Sequence, residues 1–448
     1  MSAVRSILKA IIAEWKDIGI PRDLIPRDYI IRPKKRWVTV ITGARMTGKT
    51  YLMFQTMKRL MDEGVDENRI FYVNFEDERV YGDTAFLTEL LPAIREEFGV
   101  SENIYLFLDE IHLIPKWDIW LRRNLMRELI ITISGSTSEL MPDRVASSLG
   151  GRTKTHIVYP LSFIEYLKFK GIDVKKSIEY SLRKYDILYH LKEYMLFGGL
   201  PEIVKTRDKY GKLRGLQEYF LAILHRDIIR RQNVDKPVDL EILYKLLADT
   251  TLFSASKTEK TMKSLGYKIS KATILKYKNY GEKAYLIYQS EIFSTKIKDR
   301  LQYPRKIYFI DTGLRRAIST GWSINETRIL ENLVFIELLR RKKLTERIAY
   351  WRGKQRREVD FVIEENLKPK KLIQVCYDPT QEETRKREEK ALIEAMRELG
   401  ITHSQIITWD YEETKQINNK KITYIPLWKI LLKQIIIRPF RDGSYTNV

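Results

Sequence analysis

The chain has 448 residues, 44% of them hydrophobic and 11% aromatic, enough to bury several cores; the length suits roughly three domains. Its 80 Lys and Arg exceed 59 Asp and Glu, and the formal charge of +21 favours a polyanionic partner, nucleic acid before membrane. One cysteine, Cys376, and 5 histidines exclude an intrachain disulfide and a cysteine-based zinc site.

Abundant Lys, Arg and Glu, with many Ile and Tyr, also fit a thermophile, where charge serves stability. The imbalance of sign, rather than charge density, is what speaks for nucleic acid. No apolar run approaches the length of a membrane span, and no cleavage site follows the N-terminal amphipathic stretch. The expectation is a soluble, cytoplasmic protein with no membrane partner.

Residues 1–36 predict an amphipathic helix carrying Ile7, Leu8, Ile11, Ile12 and Trp15, then a loop punctuated by Pro21, Pro26 and Pro33. The helix packs on the core, or the segment wraps over a nucleotide base. Next, WVTVITGARMTGKT runs from Trp37 to Thr50. Val38, Val40 and Ile41 read as a short buried strand. The strand breaks into Gly43, Ala44, Arg45, Met46, Thr47, Gly48, Lys49 and Thr50, which fits G-x-x-x-x-G-K-[ST] at every fixed position. A helix follows, with Tyr51 at its start and Leu52, Met53, Met57 and Leu60 at helical spacing. Strand, glycine loop and helix in that order form a phosphate-binding loop, or Walker A motif. Its backbone N–H groups and helix N-terminus face phosphate oxygens. Lys49 would reach the β- and γ-phosphates of ATP, and the Thr50 hydroxyl would ligate Mg2+.

Arg69–Glu76, Ile104–Leu108 and Leu129–Ser134 read as further strands, separated by helices near 51–62, 84–98 and 117–127. Strands alternating with helices mean a parallel sheet with both faces covered. The third strand ends in IYLFLDEIHLI, the Walker B arrangement. Asp109 would hold Mg2+, and Glu110 is placed as general base for the attacking water. The fourth strand runs into Ser134-Gly135-Ser136-Thr137-Ser138, where Ser136 is either a γ-phosphate sensor or part of an ordinary turn. Arg152, in Gly150-Gly151-Arg152, is either an arginine finger or a solvated surface residue.

Residues 160–235 read as a helical block, a lid on the nucleotide domain. Residues 239–318 predict three short helices and a hairpin whose strands are Ala284–Ile287 and Arg305–Ile310, around a basic loop with Lys296, Lys298 and Arg300. That is the pattern of a winged helix, a module that binds either DNA or protein. For DNA, the third helix would present Lys271, Thr273 and Lys276 to a groove. Residues 326–448 alternate again, with a helix bearing Glu331, a strand bearing Asp360 and a strand leading to Gln374 and Cys376. A helix acid, a strand Asp and an acceptor on the next strand are parts of a metal-dependent nuclease centre. The slot for its lysine holds Cys376, which makes cleavage doubtful.

In sequence order, GARMTGKT, FYVNFED, LFLDEIH, GSTSEL, SLGGRT, YPLSFIEYL, FGGLPEIV, HRDII, IYFIDTGL, ENLVFIELL, YWRGKQRREVDFVI and LIQV cover nearly the whole chain. It resembles the AAA+-type P-loop ATPases of archaea and bacteria that carry a winged helix and a C-terminal restriction-endonuclease-like domain. The resemblance implies an α/β fold: a P-loop sheet (1–165) and helical lid (166–236), a winged helix (237–320) and a mixed α/β nuclease-like domain (321–448). It also implies that Arg152 is an arginine-finger candidate and that Glu331, Asp360 and Gln374 occupy nuclease motif positions. The expected activity is Mg2+-dependent ATP hydrolysis coupled to remodelling or switching on DNA. A signalling or defence switch with a protein-binding winged helix, and an ATP-gated nuclease, are the rival readings. Homo-oligomerisation is left open.

Overall fold

Val38–Thr42 is buried at every position, and in the computed structural model it forms β1, one strand in from the edge of a five-stranded parallel sheet. The structure describes residues 3–136, 140–172, 183–319, 325–353 and 357–432. The chain divides into two compact units: the first runs to Tyr159, and the second holds Pro160–Glu282 and resumes at Leu286.

In the first unit, β2 (Ile70–Asn74), β3 (Ile104–Asp109), β4 (Leu129–Gly135) and β5 (Thr153–Ile157) join β1 in the order β2-β3-β4-β1-β5. The helices Lys49–Asp62, Leu90–Phe98 and Trp117–Asn124 lie between strands in the chain, as their apolar periodicity predicts. The strand β5 is a correction to the four expected. Its sequence TKTHI has no apolar run, yet Thr153, Lys154, Thr155 and His156 are all buried beside β1. The helix Ala3–Ile18 packs Leu8 and Ile12, both 0% exposed, into the core, each contributing about 1.5–3 kcal/mol. Beyond it, the Arg27 guanidinium donates to Thr47 O at 2.9 Å and Tyr159 O at 3.1 Å. This buried arginine fixes the approach to the phosphate loop. Because β1 has β4 and β5 as neighbours, the loop after β1 opens at the carboxyl ends of the strands, where ligands bind in open α/β sheets.

The second unit opens with helices Phe163–Phe169, Arg183–Phe197 and Lys209–Ala222, the last continuing through a π-helical turn at Ile223–Ile229. Ser162 and Glu165 form a reciprocal capping box at the start of the first. Several motifs scattered along the sequence meet here. Asp311 accepts from Gly199 N at 2.7 Å and from Leu314 N at 3.1 Å, while Leu161 N donates to Gly199 O at 2.7 Å. A Cβ on Gly198, which has φ +75, would sit 1.9 Å from the Asp311 carboxylate, so only glycine fits. Burial pushes the Asp311 carboxyl up to about 6, against the pull of these backbone donors.

Three helices follow, Pro237–Asp249, Ala255–Ser264 and Lys271–Lys283. Of the strands β6 (Leu252–Phe253), β7 (Ile287–Ile292) and β8 (Arg305–Phe309), β8 lies between the other two and is antiparallel to both. The expected strand Ala284–Ile287 is corrected: Tyr285 at φ 56 breaks the chain after the helix, and β7 only begins at Ile287. The expected basic loop between β7 and β8 contains a short helix, Ile297–Gln302. Next come the helix Glu326–Arg341, β9 (Glu346–Arg352), β10 (Glu358–Glu365), β11 (Lys368–Val375) and the helix Glu382–Glu398. The strands β12 (His403–Thr408), β13 (Glu413–Ile417) and β14 (Lys420–Pro426) complete the set. All belong to one nine-stranded mixed sheet, β13-β14-β12-β11-β10-β9-β7-β8-β6. The hairpin joins the C-terminal strands through parallel β7–β9 pairing at Glu291↔Ala349 and Ile292↔Tyr350.

Candidate functional site

The phosphate loop leaves β1 at Gly43, where a Cβ would meet Val158 O at 2.4 Å; the backbone passes too close for any side chain. Thr47 Oγ1 donates to Ala44 O at 2.9 Å, closing the loop on itself. Lys49 is buried and folds back, its Nζ 3.0 Å from Ala44 O and 3.3 Å from Gly43 O. Arg45 reaches outward to Glu76 at 3.2 Å. Met46 and Tyr51 are partly exposed, and the Tyr51 ring meets the edge of Phe54.

The registers of β2, β3 and β4 bring their carboxyl ends level with the loop. Thr50 Oγ1 lies 2.7 Å from Asp109 Oδ2, which also accepts from Tyr72 OH at 2.9 Å. Ser134 Oγ donates to the other Asp109 oxygen. Glu110 sits next door at φ 52; its Oε2 takes a hydrogen bond from Ser136 N at 3.1 Å, with Ser136 Oγ at 3.4 Å. His112 Nδ1 is 3.3 Å from the same oxygen, and Lys49 Nζ is 4.0 Å from Glu110 Oε1. Burial raises the Glu110 pKa above the usual carboxylate range; the Lys49 charge pulls the other way. A carboxylate so placed holds a proton more readily than one in water, which suits a base.

Lys49, Thr50, Asp109, Glu110 and Ser136 therefore share one place. Arg152 is exposed, and its Nη1 lies 3.5 Å from Met126 Sδ. Thr137 and Ser138 of the expected sensor turn lie outside the described residues, as do residues 354–356 of the basic loop at Arg352–Arg357. Tyr72 and His112 were missed by sequence reasoning, while Ser134, read as part of the sensor turn, holds Asp109. Only His112 left a signal, two residues after Glu110. On the helix Lys271–Lys283, Lys271 and Lys276 are exposed, while Thr273 is half-buried, its N and Oγ1 bonded to Ser270 Oγ.

In the second unit, Glu331 and Asp360 do converge, but on an ammonium. Lys306 Nζ of β8 lies 2.9 Å from Glu331 Oε1, 2.8 Å from Asp360 Oδ1 and 2.7 Å from Glu358 Oε1. Tyr308, two residues on and so on the same face of β8, donates to Glu331 at 2.8 Å. Burial works against the Lys306 charge, but Asp360 and Glu331 outweigh it and hold its pKa well above normal. Gln374 corrects the expectation of a ligand oxygen: its Oε1 accepts from Asp360 N at 3.1 Å, and its amide donates to Glu388 at 2.7 Å. The Cys376 thiol is pushed up to about 12, first by burial, and stays neutral. Lys371, on β11 with Gln374, is exposed. No group of His, Cys, Asp and Glu among the described residues is arranged to hold a metal. No helix among them is long and apolar enough to cross a membrane.

Comparison with known proteins agrees with the first unit's architecture. A family model described as an AAA domain matches residues 35–167, and two described as domains of unknown function match 188–324 and 326–430. The uncharacterized protein MJ1544 of Methanocaldococcus jannaschii is 34% identical over 433 residues, 94% of each chain. An uncharacterized protein of Haemophilus influenzae is 33% identical over 311 residues, 68% of this chain and 75% of that one. Among solved structures, the Walker-type ATPase PABY2304 of Pyrococcus abyssi is 15% identical with a TM-score of 0.44, covering 64% of this chain and 91% of that chain. Kinship with MJ1544 over almost the whole length makes this chain a member of the same family, and its residues 35–167 belong to an AAA domain.

Proposed function

We propose that the protein is a Mg2+-dependent ATPase that couples hydrolysis to remodelling or switching on nucleic acid, with DNA as the partner. The observation that carries the ATPase reading is the 2.7 Å contact of Thr50 Oγ1 with Asp109 Oδ2 at the phosphate loop, with Lys49 and Glu110 beside it. A hydroxyl and a carboxylate are the oxygen donors Mg2+ takes, and Gly43 and Gly48, both at positive φ, let the loop backbone curl toward a phosphate. Thr50 and Asp109 would hold the ion, which when bound neutralises charge on the β- and γ-phosphates. Lys49 binds the phosphates, Glu110 takes the proton of the attacking water, and Ser136 and His112 orient Glu110. Ser136 also reads the terminal phosphate, and the exposed Arg152 supplies an arginine finger, in cis or to a neighbouring subunit's nucleotide.

The three helices with β6, β7 and β8 read as a winged helix, and the exposed Lys271 and Lys276 support DNA contact by its third helix. Reversing both to Glu should weaken DNA binding and flatten its dependence on salt, because fewer counterions are released. Titrating labelled duplex at several salt concentrations checks this; a curve indifferent to both changes removes the site. In that event the signalling-switch reading gains, since Leu275, Ile297 and Leu301, at 43%, 65% and 68% exposure, offer apolar surface to a protein partner.

A further inference from the structure

The nuclease-like centre does not fit the divalent cation that its resemblance implies. Lys306 donates hydrogen bonds to Glu331 and Asp360 at 2.9 and 2.8 Å, and its ammonium pairs with a third carboxylate, Glu358, at 2.7 Å. These are the oxygens that a Mg2+ or Mn2+ ion would need at about 2.0–2.2 Å. An ion placed among them would sit against a fixed positive charge with 1% exposure, where little water screens the repulsion. Two neighbouring acceptors are also committed: Asp360 Oδ2 accepts from Val375 N at 2.9 Å, and Gln374 spans Asp360 N and Glu388. Lys306 does not come from the strand pair of the expected motif, β10 and β11, but from β8 in the hairpin.

We infer that Lys306 is the resident cation of this centre: its ammonium takes the place of a divalent metal and makes the centre a metal-free ion cluster joining the hairpin to the C-terminal strands. The inference stands apart from the ATPase reading, since it concerns only the second unit. Three carboxylates around one ammonium leave surplus negative charge once the ammonium is removed, so the centre should become a metal site when Lys306 is made neutral.

The test is Mn2+ binding by electron paramagnetic resonance, using full-length, nucleotide-free protein. Lys306→Met should bind one Mn2+ more than the wild type, and adding Asp360→Asn should abolish that extra ion. The unaltered protein and its Asp360→Asn and Glu358→Gln variants should bind equal amounts, which excludes any contribution from Thr50 and Asp109. Mn2+ that depends on Asp360 or Glu358 while Lys306 is intact would overturn the inference, as would a folded Lys306→Met that gains no ion. If Lys306→Met does not fold, the comparison among Lys306-intact proteins decides alone: equal binding supports the inference and unequal binding refutes it.

Discussion

Glu110→Gln should bind ATP as the wild type does and hydrolyse it at least about a hundredfold more slowly, the loss expected when a general base is removed. Binding survives because Lys49 and Thr50 are untouched, and Gln can still accept from Ser136 N through its amide oxygen. What goes is the acceptor for the water's proton. The wild-type rate should also carry an acid limb. Burial raises the Glu110 pKa, so the base is charged, and the rate full, only above a midpoint higher than that of an ordinary carboxylate. The limb should vanish in Glu110→Gln. Nucleotide binding and phosphate release across pH measure both effects; equal rates for the two proteins would remove Glu110 from the chemistry.

Lys306→Met should lose about 3–5 kcal/mol of stability, the range for breaking a buried ion pair by removing one partner. Methionine fills much of the lysine's volume, so the loss reports uncompensated charge more than a cavity. Burial already raises the Asp360 carboxyl to about 7 against the pull of Lys306, so without the ammonium its folded-state pKa rises further. Such a group favours the folded state when protonated, so the deficit relative to the wild type should shrink as pH falls from about 9 to about 7. Adding Asp360→Asn should recover part of the loss, since the two residues are in contact and their effects do not add. Denaturant unfolding of the four proteins of this cycle provides the check. A deficit that is the same at both pH values would mean that packing, not charge, is what Lys306 contributes.

What could be read in the sequence was local. β1 and β3 are apolar runs buried on both faces, each ending in a short motif, so strand, loop and acid all lie within a few residues. The polar strands were not legible. TKTHI of β5 and ETKQI of β13 stand at the two ends of their sheets, where charged and polar residues are common. The role of Lys306 was hidden for another reason. A lysine inside RKIYF reads as a solvated position, and its partners lie 25 and 54 residues away in sequence. The Asp311 clasp is similar: FGGLP and IYFIDTGL were each visible as motifs, but nothing in their spacing said that Gly199 N meets a carboxylate 112 residues on.

The most direct measurement is phosphate release from Mg2+-ATP by the wild-type protein and by Lys49→Ala, each with and without duplex DNA. Lys49 is the one side-chain cation that the loop motif aims at the β- and γ-phosphates, so the substitution should abolish triphosphate binding at micromolar nucleotide. The expected result is Mg2+-dependent release by the wild type, altered by saturating DNA and absent in Lys49→Ala. Wild-type release no greater than that of Lys49→Ala, with DNA or without it, would contradict the ATPase reading.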